Sequence, residues 1–143
     1  MVEEDKRYPN TLLQELLWPD AWKCTVACIL LNQTTRKQVD KVWPTLFAEA
    51  PTPEDMLKIS SVRLQEILKP LGFWRIRTER LKKMSTMWGT VPHHELPGVG
   101  TYAHQSHRIF FHDDLLENEE VKDHALVGYV NWRRKQNFRL NEM

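Results

Sequence analysis

Two features of the chain carry chemistry: the pentapeptide Leu96-Pro97-Gly98-Val99-Gly100 and an aspartate, Asp123, further downstream. Glycine accepts φ > 0 without a Cβ clash, so two glycines flanking one aliphatic residue allow a tight turn. The turn stands between two predicted helices, a short polar one ending at Gly98 and a new one starting at Thr101. Backbone N–H groups left bare at the N-terminus of the second helix form a seat for a phosphate. Asp123 is a lone acid at the head of the helix that follows. Taken locally it reads first as an ordinary N-cap.

Other reactive side chains point to less. Cys24 and Cys28 lie one helical turn apart on a single apolar segment and share a face. They are expected as buried free thiols, since two cysteines alone do not complete a metal site. His104, His107 and His112 fall on one predicted helix. With no cysteine or carboxylate placed to complete a ligand set, they are expected to face a bound partner or solvent, and no metal site is predicted.

A chain of 143 residues with 41% hydrophobic residues and six tryptophans suits one domain, or two small lobes sharing a cleft. No apolar run reaches membrane-spanning length, and the charged start Val2-Glu3-Glu4-Asp5-Lys6-Arg7 is no signal peptide. An intracellular protein without membrane partners is expected. The net charge of +1 does not announce a nucleic-acid binder, but its distribution is uneven. Lys69, Arg75, Arg77, Arg80, Lys82 and Lys83 face one acid, Glu79, while Arg133, Arg134, Lys135 and Arg139 lie near the end. Acids gather in residues 113–120. This separation fits one basic face along phosphates, and it fits a set of solvated helix faces equally well.

The elements that must position these groups are helices. Residues 1–9 are polar and read as a frayed end. A short helix over 11–17 carries Gln14 among leucines and stops at Trp18-Pro19. Asp20 caps a helix over 21–31 that is apolar nearly all round and therefore central. Thr35 with Gln38 has capping-box spacing for a helix over 36–48, which Pro44 starts, kinks or splits. Thr52 caps a helix with Pro53 at its first position, and Ser60 or Ser61 caps another that Pro70 ends. Residues 75–87 repeat apolar side chains at helical spacing (Ile76, Leu81, Met84, Met87) beneath a basic outer face. Helices follow over 101–111 and from about 122, with 113–120 as a loop. No strand and no internal repeat is expected, so the fold class is all-α.

A helix, Leu-Pro-Gly-Val-Gly, a second helix and a helix-leading aspartate together resemble the helix-hairpin-helix (HhH-GPD) DNA glycosylases, the superfamily containing endonuclease III. Leu30-Leu31-Asn32-Gln33-Thr34-Thr35 is similar to the segment after the family's central helix, and Lys69-Pro70-Leu71-Gly72-Phe73-Trp74 to its glycine–aromatic turn. Gln14-Glu15-Leu16, Pro19-Asp20-Ala21-Trp22-Lys23, Ser106-His107-Arg108-Ile109-Phe110 and Asp123-His124 resemble, in order, the catalytic domain of the methyl-CpG-binding thymine/uracil mismatch glycosylase. The resemblance covers nearly the whole chain from Gln14 onward. It implies one two-lobed domain over 1–143 with a DNA cleft between lobes. The central lobe would span about 34–112 with the hairpin at 92–103, and the second lobe about 10–33 plus 113–143.

It also implies roles. Asp123 would stabilise the positive charge that builds on deoxyribose as an N-glycosidic bond breaks, and orient or deprotonate water. Tyr102 stands where bifunctional relatives carry a nucleophilic lysine, which implies base release without strand cleavage. The phenol would instead stack on or hydrogen-bond the extruded base, packing being its plain alternative. Gln14 would read a flipped pyrimidine with its donor and acceptor. Gln33 matches the residue that fills the hole left by the flipped nucleotide, and Phe73 a wedge in the opposite strand, or else a core aromatic. Leu96, Gly98, Val99 and Gly100 of the hairpin, with Arg75 and Arg77, would contact the DNA backbone.

The function implied is a monofunctional glycosylase, acting as a monomer, that removes thymine or uracil mispaired with guanine from double-stranded DNA. It would work in the nucleus of a eukaryote or at the nucleoid of a prokaryote. The family's iron–sulfur cluster needs four cysteines near the C-terminus, and none follows Cys28, so no cluster is expected. A monovalent cation on the hairpin's backbone carbonyls is consistent with the family. Alternatives are a sibling specificity, such as adenine opposite oxidised guanine or an alkylated base, and a non-catalytic DNA-binding module.

Overall fold

A computed structural model describes the backbone of residues 11–142 and the side chains through residue 137. The polar end 1–9 and the side chain of Arg139 lie outside the described residues. Among the described residues nine α-helices form and no strand appears. They are α1 (Leu13–Leu17), α2 (Ala21–Leu31), α3 (Arg36–Asp40), α4 (Trp43–Glu49), α5 (Pro53–Lys58), α6 (Ser61–Leu68), α7 (Trp74–Met87), α8 (Thr101–His112) and α9 (His124–Glu142). Short 3-10 turns at Lys69–Leu71 and His93–Glu95 lead into α7 and into the glycine turn.

Local chemistry sets most of these boundaries. Asp20 accepts from the Lys23 amide, Thr52 from Asp55 and Ser60 from Arg63, each satisfying a first-turn N–H that the helix itself leaves bare. Thr35 and Gln38 close a reciprocal capping box. Pro44 splits the segment over 36–48: α3 stops at Asp40, and α4 begins at Trp43 with the proline in its first turn, where a missing N–H costs nothing.

Helix α2 packs against α1, α3, α7 and α8. Its side chains are buried from Cys24 through Leu30, as an all-round apolar helix requires. Around it, Leu46, Met56, Leu64, Leu68, Leu81 and Met84 are fully buried, each such side chain contributing roughly 1.5–3 kcal/mol. A second, smaller cluster joins Leu12 before α1 with Ile109, Leu116, Leu126, Tyr129 and Val130 from α8, the acidic loop and α9. α2 belongs with residues 39–96 in the larger cluster, and α8 supplies Ile109 to the smaller one.

Helix α7 departs from its predicted register. Arg77, Thr78, Leu81, Met84 and Ser85 face inward, whereas Ile76 is half exposed. The inward positions keep helical spacing, but the slot one turn before Leu81 is taken by arginine.

Candidate active site

A cleft of about 1120 Å³ opens between α1, the end of α2, the hairpin and the start of α9. Gln14, Cys28, Gln33, Gly98, Gly100, Tyr102 and Asp123 all line it, so residues more than one hundred positions apart meet in one place.

The hairpin forms one wall. Leu96 is buried in the main core and Val99 packs against it, anchoring the turn. Gly98 takes φ +82, and a Cβ there would meet Ile29 Cδ1 at 3.3 Å. Gly100 is extended (φ −102, ψ −165) and a Cβ on it would meet no atom within 4 Å. Gly100 N-caps α8, and no side chain caps the helix's first-turn amides. The side chains of Leu96 and Val99 thus anchor the hairpin in the core, and Gly98 and Gly100 leave its backbone exposed.

Gln14 is 1% exposed, an unusual burial for an amide, and its partners explain it. Nε2 lies 2.9 Å from Tyr102 Oη and 2.9 Å from Ser106 Oγ, with Cys28 Sγ at 3.6 Å. One end of the amide is thereby held by two hydroxyls, and Oε1 has no hydrogen-bond partner among the described residues. Burial pushes the Tyr102 phenol well above its ordinary value and the Cys28 thiol up to about 11. Both stay protonated, so Cys28 is a neutral wall of the cleft and no thiolate nucleophile.

Asp123 precedes α9. Its Oδ1 accepts from the Leu126 amide at 3.0 Å, while Oδ2 has no partner among the described residues. It caps α9 and lines the cleft at once. The loop before it is tied down by α8. Arg108 pairs with Asp114 and Glu119, and Gln105 donates to Glu119 and to the Glu120 carbonyl. Arg133 joins Asp113 and Tyr129, and Arg134 the Leu115 carbonyl. These arginines clamp the acidic loop rather than forming a basic face apart from it.

Behind the hairpin the histidines stack. His93 and His107 lie 3.8 Å apart at 7°. Thr25 Oγ1 donates to the Ala21 carbonyl, so it accepts from His93 Nε2 at 2.9 Å. His93 Nδ1 is then left to accept from His104 Nδ1 at 3.3 Å, an assignment made by counting donors. Burial and the neighbouring rings lower His93 to about 3 and His107 to about 4. Among the described residues no group of His, Cys, Asp and Glu is arranged to hold a metal ion. His104 and His107 are half-buried against His93, and His112 is exposed.

Gln33 and Phe73 project from turns. Both have left-handed backbone, φ 59 and φ 48. Gln33 is exposed and lines the cleft. Phe73 is 63% exposed, which removes the core-aromatic reading. Arg75 is exposed. Arg77 corrects the expectation: it is 5% exposed, and its guanidinium is spent on the carbonyls of Gly72, Leu30 and Asn32. Lys82 likewise donates to the Met56 and Ile59 carbonyls, leaving Lys69, Arg75, Arg80 and Lys83 as the exposed cations of 69–83.

Three residues escaped sequence reasoning. Ser106 lies one turn beyond Tyr102, so i, i+4 spacing pointed to a shared face. Cys28 reached the cleft through α2, which no local signal marks. Ile76, three residues after Phe73, enlarges the apolar tip of α7.

Residues 26–135 match the model of the HhH-GPD superfamily base excision DNA repair proteins. The methyl-CpG-binding domain protein 4-like protein of Arabidopsis thaliana is 31% identical over 133 residues, covering 90% of this chain and 29% of that protein. The thymine/uracil-DNA glycosylase of Pyrobaculum aerophilum is 34% identical over 94 residues, covering 59% of this chain and 41% of the relative. The chain thus spans less than half the length of either. Among solved structures, a thermostable thymine-DNA glycosylase superposes with a TM-score of 0.61 at 27% identity, over 66% of this chain and 48% of that one. A non-covalent endonuclease III–DNA complex gives 0.62 at 25% identity, over 78% and 56%. With its hairpin, cleft aspartate and matched length, the chain belongs to the HhH-GPD superfamily of base excision DNA repair proteins.

Proposed function

We propose that the chain is a monofunctional DNA glycosylase that excises thymine or uracil mispaired with guanine. The observation that carries this reading is the make-up of the cleft: Tyr102 and Asp123 line it, and no lysine does among the described residues. Lys122 is exposed beside Asp123 and is not part of the lining.

In this mechanism the hairpin amides hold a phosphate and the target nucleotide swings into the cleft. Extrusion costs a few kcal/mol and least at a mismatch, which supplies part of the selectivity. Gln14, fixed at one end by Tyr102 and Ser106, presents the rest of its amide to the pyrimidine edge, and Tyr102 packs against the base. As the C1′–N bond breaks, its electron pair leaves on the base and positive charge grows on the sugar. The bare Asp123 oxygen stabilises that charge and draws a proton from the water that adds to C1′.

Incubation with G·T, G·U and oxidised-guanine·A duplexes tests the reading. Thymine or uracil should be released, leaving an intact abasic strand that breaks only in hot alkali. Borohydride should trap no protein–DNA adduct. Efficient trapping would overturn the monofunctional assignment and implicate Lys122, and excision confined to adenine would move the chain to a sibling specificity.

A further inference from the structure

Arg77 connects two turns that lie far apart in sequence. Nε donates to the Gly72 carbonyl at 2.9 Å and Nη2 to the Asn32 carbonyl at 3.2 Å, with Nη1 directed at Leu30 O at 3.5 Å. Gly72 immediately precedes Phe73, and Asn32 immediately precedes Gln33. One planar fork therefore grips the backbone next to each of two left-handed, exposed residues, Gln33 and Phe73.

Left-handed backbone at a non-glycine residue is unfavourable and persists where its surroundings over-determine it. A buried guanidinium is also unfavourable unless its donors are satisfied. Arg77 has no carboxylate partner among the described residues, and its helix slot would accept an apolar side chain continuous with Leu81 and Met84. A leucine there would pack, but it would leave two turns without their shared donor. Arginine's rigid fork supplies what a point-charge lysine reaches less well, fixed directions to separate acceptors.

We propose that Arg77 is a positioning residue: it locks the Gln33 and Phe73 turns to each other, so that both side chains enter the duplex at a fixed separation. The inference rests on the proposed base-flipping function for its consequence, but the bracing itself is a property of the free protein. Losing the brace lets the two turns move independently. Insertion of one side chain no longer presents the other, and the flipped state loses support while the hairpin's phosphate seat is untouched.

The test compares wild type, Arg77→Met and Arg77→Lys by amide hydrogen exchange without DNA. It adds 2-aminopurine fluorescence and single-turnover release on a G·U duplex. Arg77→Met should raise exchange in both turns together, before α3 and before α7. It should also lower the flipped signal and the release rate by ten- to a hundredfold, with affinity for matched duplex within about twofold. Arg77→Lys should recover part of each effect, since Lys82 shows an ammonium serving two carbonyls in this fold. In a Gln33→Ala, Phe73→Ala background, Arg77→Met should cost no further release activity. Loosening of the Gly72 turn alone, or multiplicative losses in that background, would overturn the proposal. If Arg77→Met fails to fold, the lysine variant decides by the same exchange pattern. If wild type releases no base from any duplex, the functional reading fails, while concerted or separate exchange of the two turns still decides the brace.

Discussion

The two hairpin glycines should respond to substitution in opposite ways. At Gly98, φ is +82 and an added Cβ would sit 3.3 Å from Ile29 Cδ1. A left-handed alanine costs roughly 1–2 kcal/mol before that tight contact is counted, so Gly98→Ala should lower Tm by roughly 3–8 °C in a domain of this size. At Gly100 the backbone is already extended and a Cβ meets nothing within 4 Å. Gly100→Leu should therefore cost at most about 1 kcal/mol, from the poorer N-cap alone. Its side chain would occupy the space through which a phosphate reaches the α8 amides. Charge-assisted hydrogen bonds contribute about 1.5–3 kcal/mol each, so losing one set should weaken binding roughly ten- to a hundredfold. The loss should be equal for matched and mismatched duplexes, because phosphates carry no sequence. Thermal unfolding and fluorescence anisotropy at fixed salt measure the two effects. A folded Gly100→Leu protein that binds matched duplex as tightly as wild type would refute the phosphate seat.

Two further outcomes follow from the cleft and its support. Gln14→Leu keeps the volume but strips two buried hydroxyls of their partner, which should cost about 1–3 kcal/mol in stability and slow uracil release about ten- to a hundredfold. A drop in Tm with an unchanged single-turnover rate would make Gln14 a core residue only. The histidine stack sets a pH limit. His93 and His107 titrate near 3 and 4 when folded, below the ordinary 6.5, so the unfolded chain takes up protons first. Stability should be complete above about pH 6.5 and fall as pH drops toward 4. Both rings are half-buried, so solvent screening trims the loss to the order of 2 kcal/mol. Urea midpoints across that range check it, and a His93→Phe protein should lose part of the slope.

Helix ends were legible because caps are local. Asp20, Thr35, Thr52 and Ser60 stand next to the amides they satisfy, and Pro44 marks a break within its own turn. The hairpin and Asp123 were legible for the same reason. Arg77 was not, since the carbonyls that draw it inward come from turns it meets only after folding. Its neighbour Ile76 fits an apolar stripe on paper yet faces outward. The Gln14–Tyr102–Ser106 contacts span 88 and 92 positions, and the histidine stack joins three elements. Such tertiary pairings leave no periodic trace in a sequence.

The proposed chemistry rests on Asp123, and Asp123→Asn tests it most directly. Asparagine keeps an oxygen for the Leu126 amide, now held at 3.0 Å, so the α9 cap and the fold should survive with Tm nearly unchanged. It cannot take a proton from water or offset a positive sugar. Single-turnover release of uracil from a G·U duplex should therefore fall about 10²–10⁴-fold, with duplex affinity retained. A folded Asp123→Asn protein that releases uracil within twofold of the wild-type rate would contradict the account.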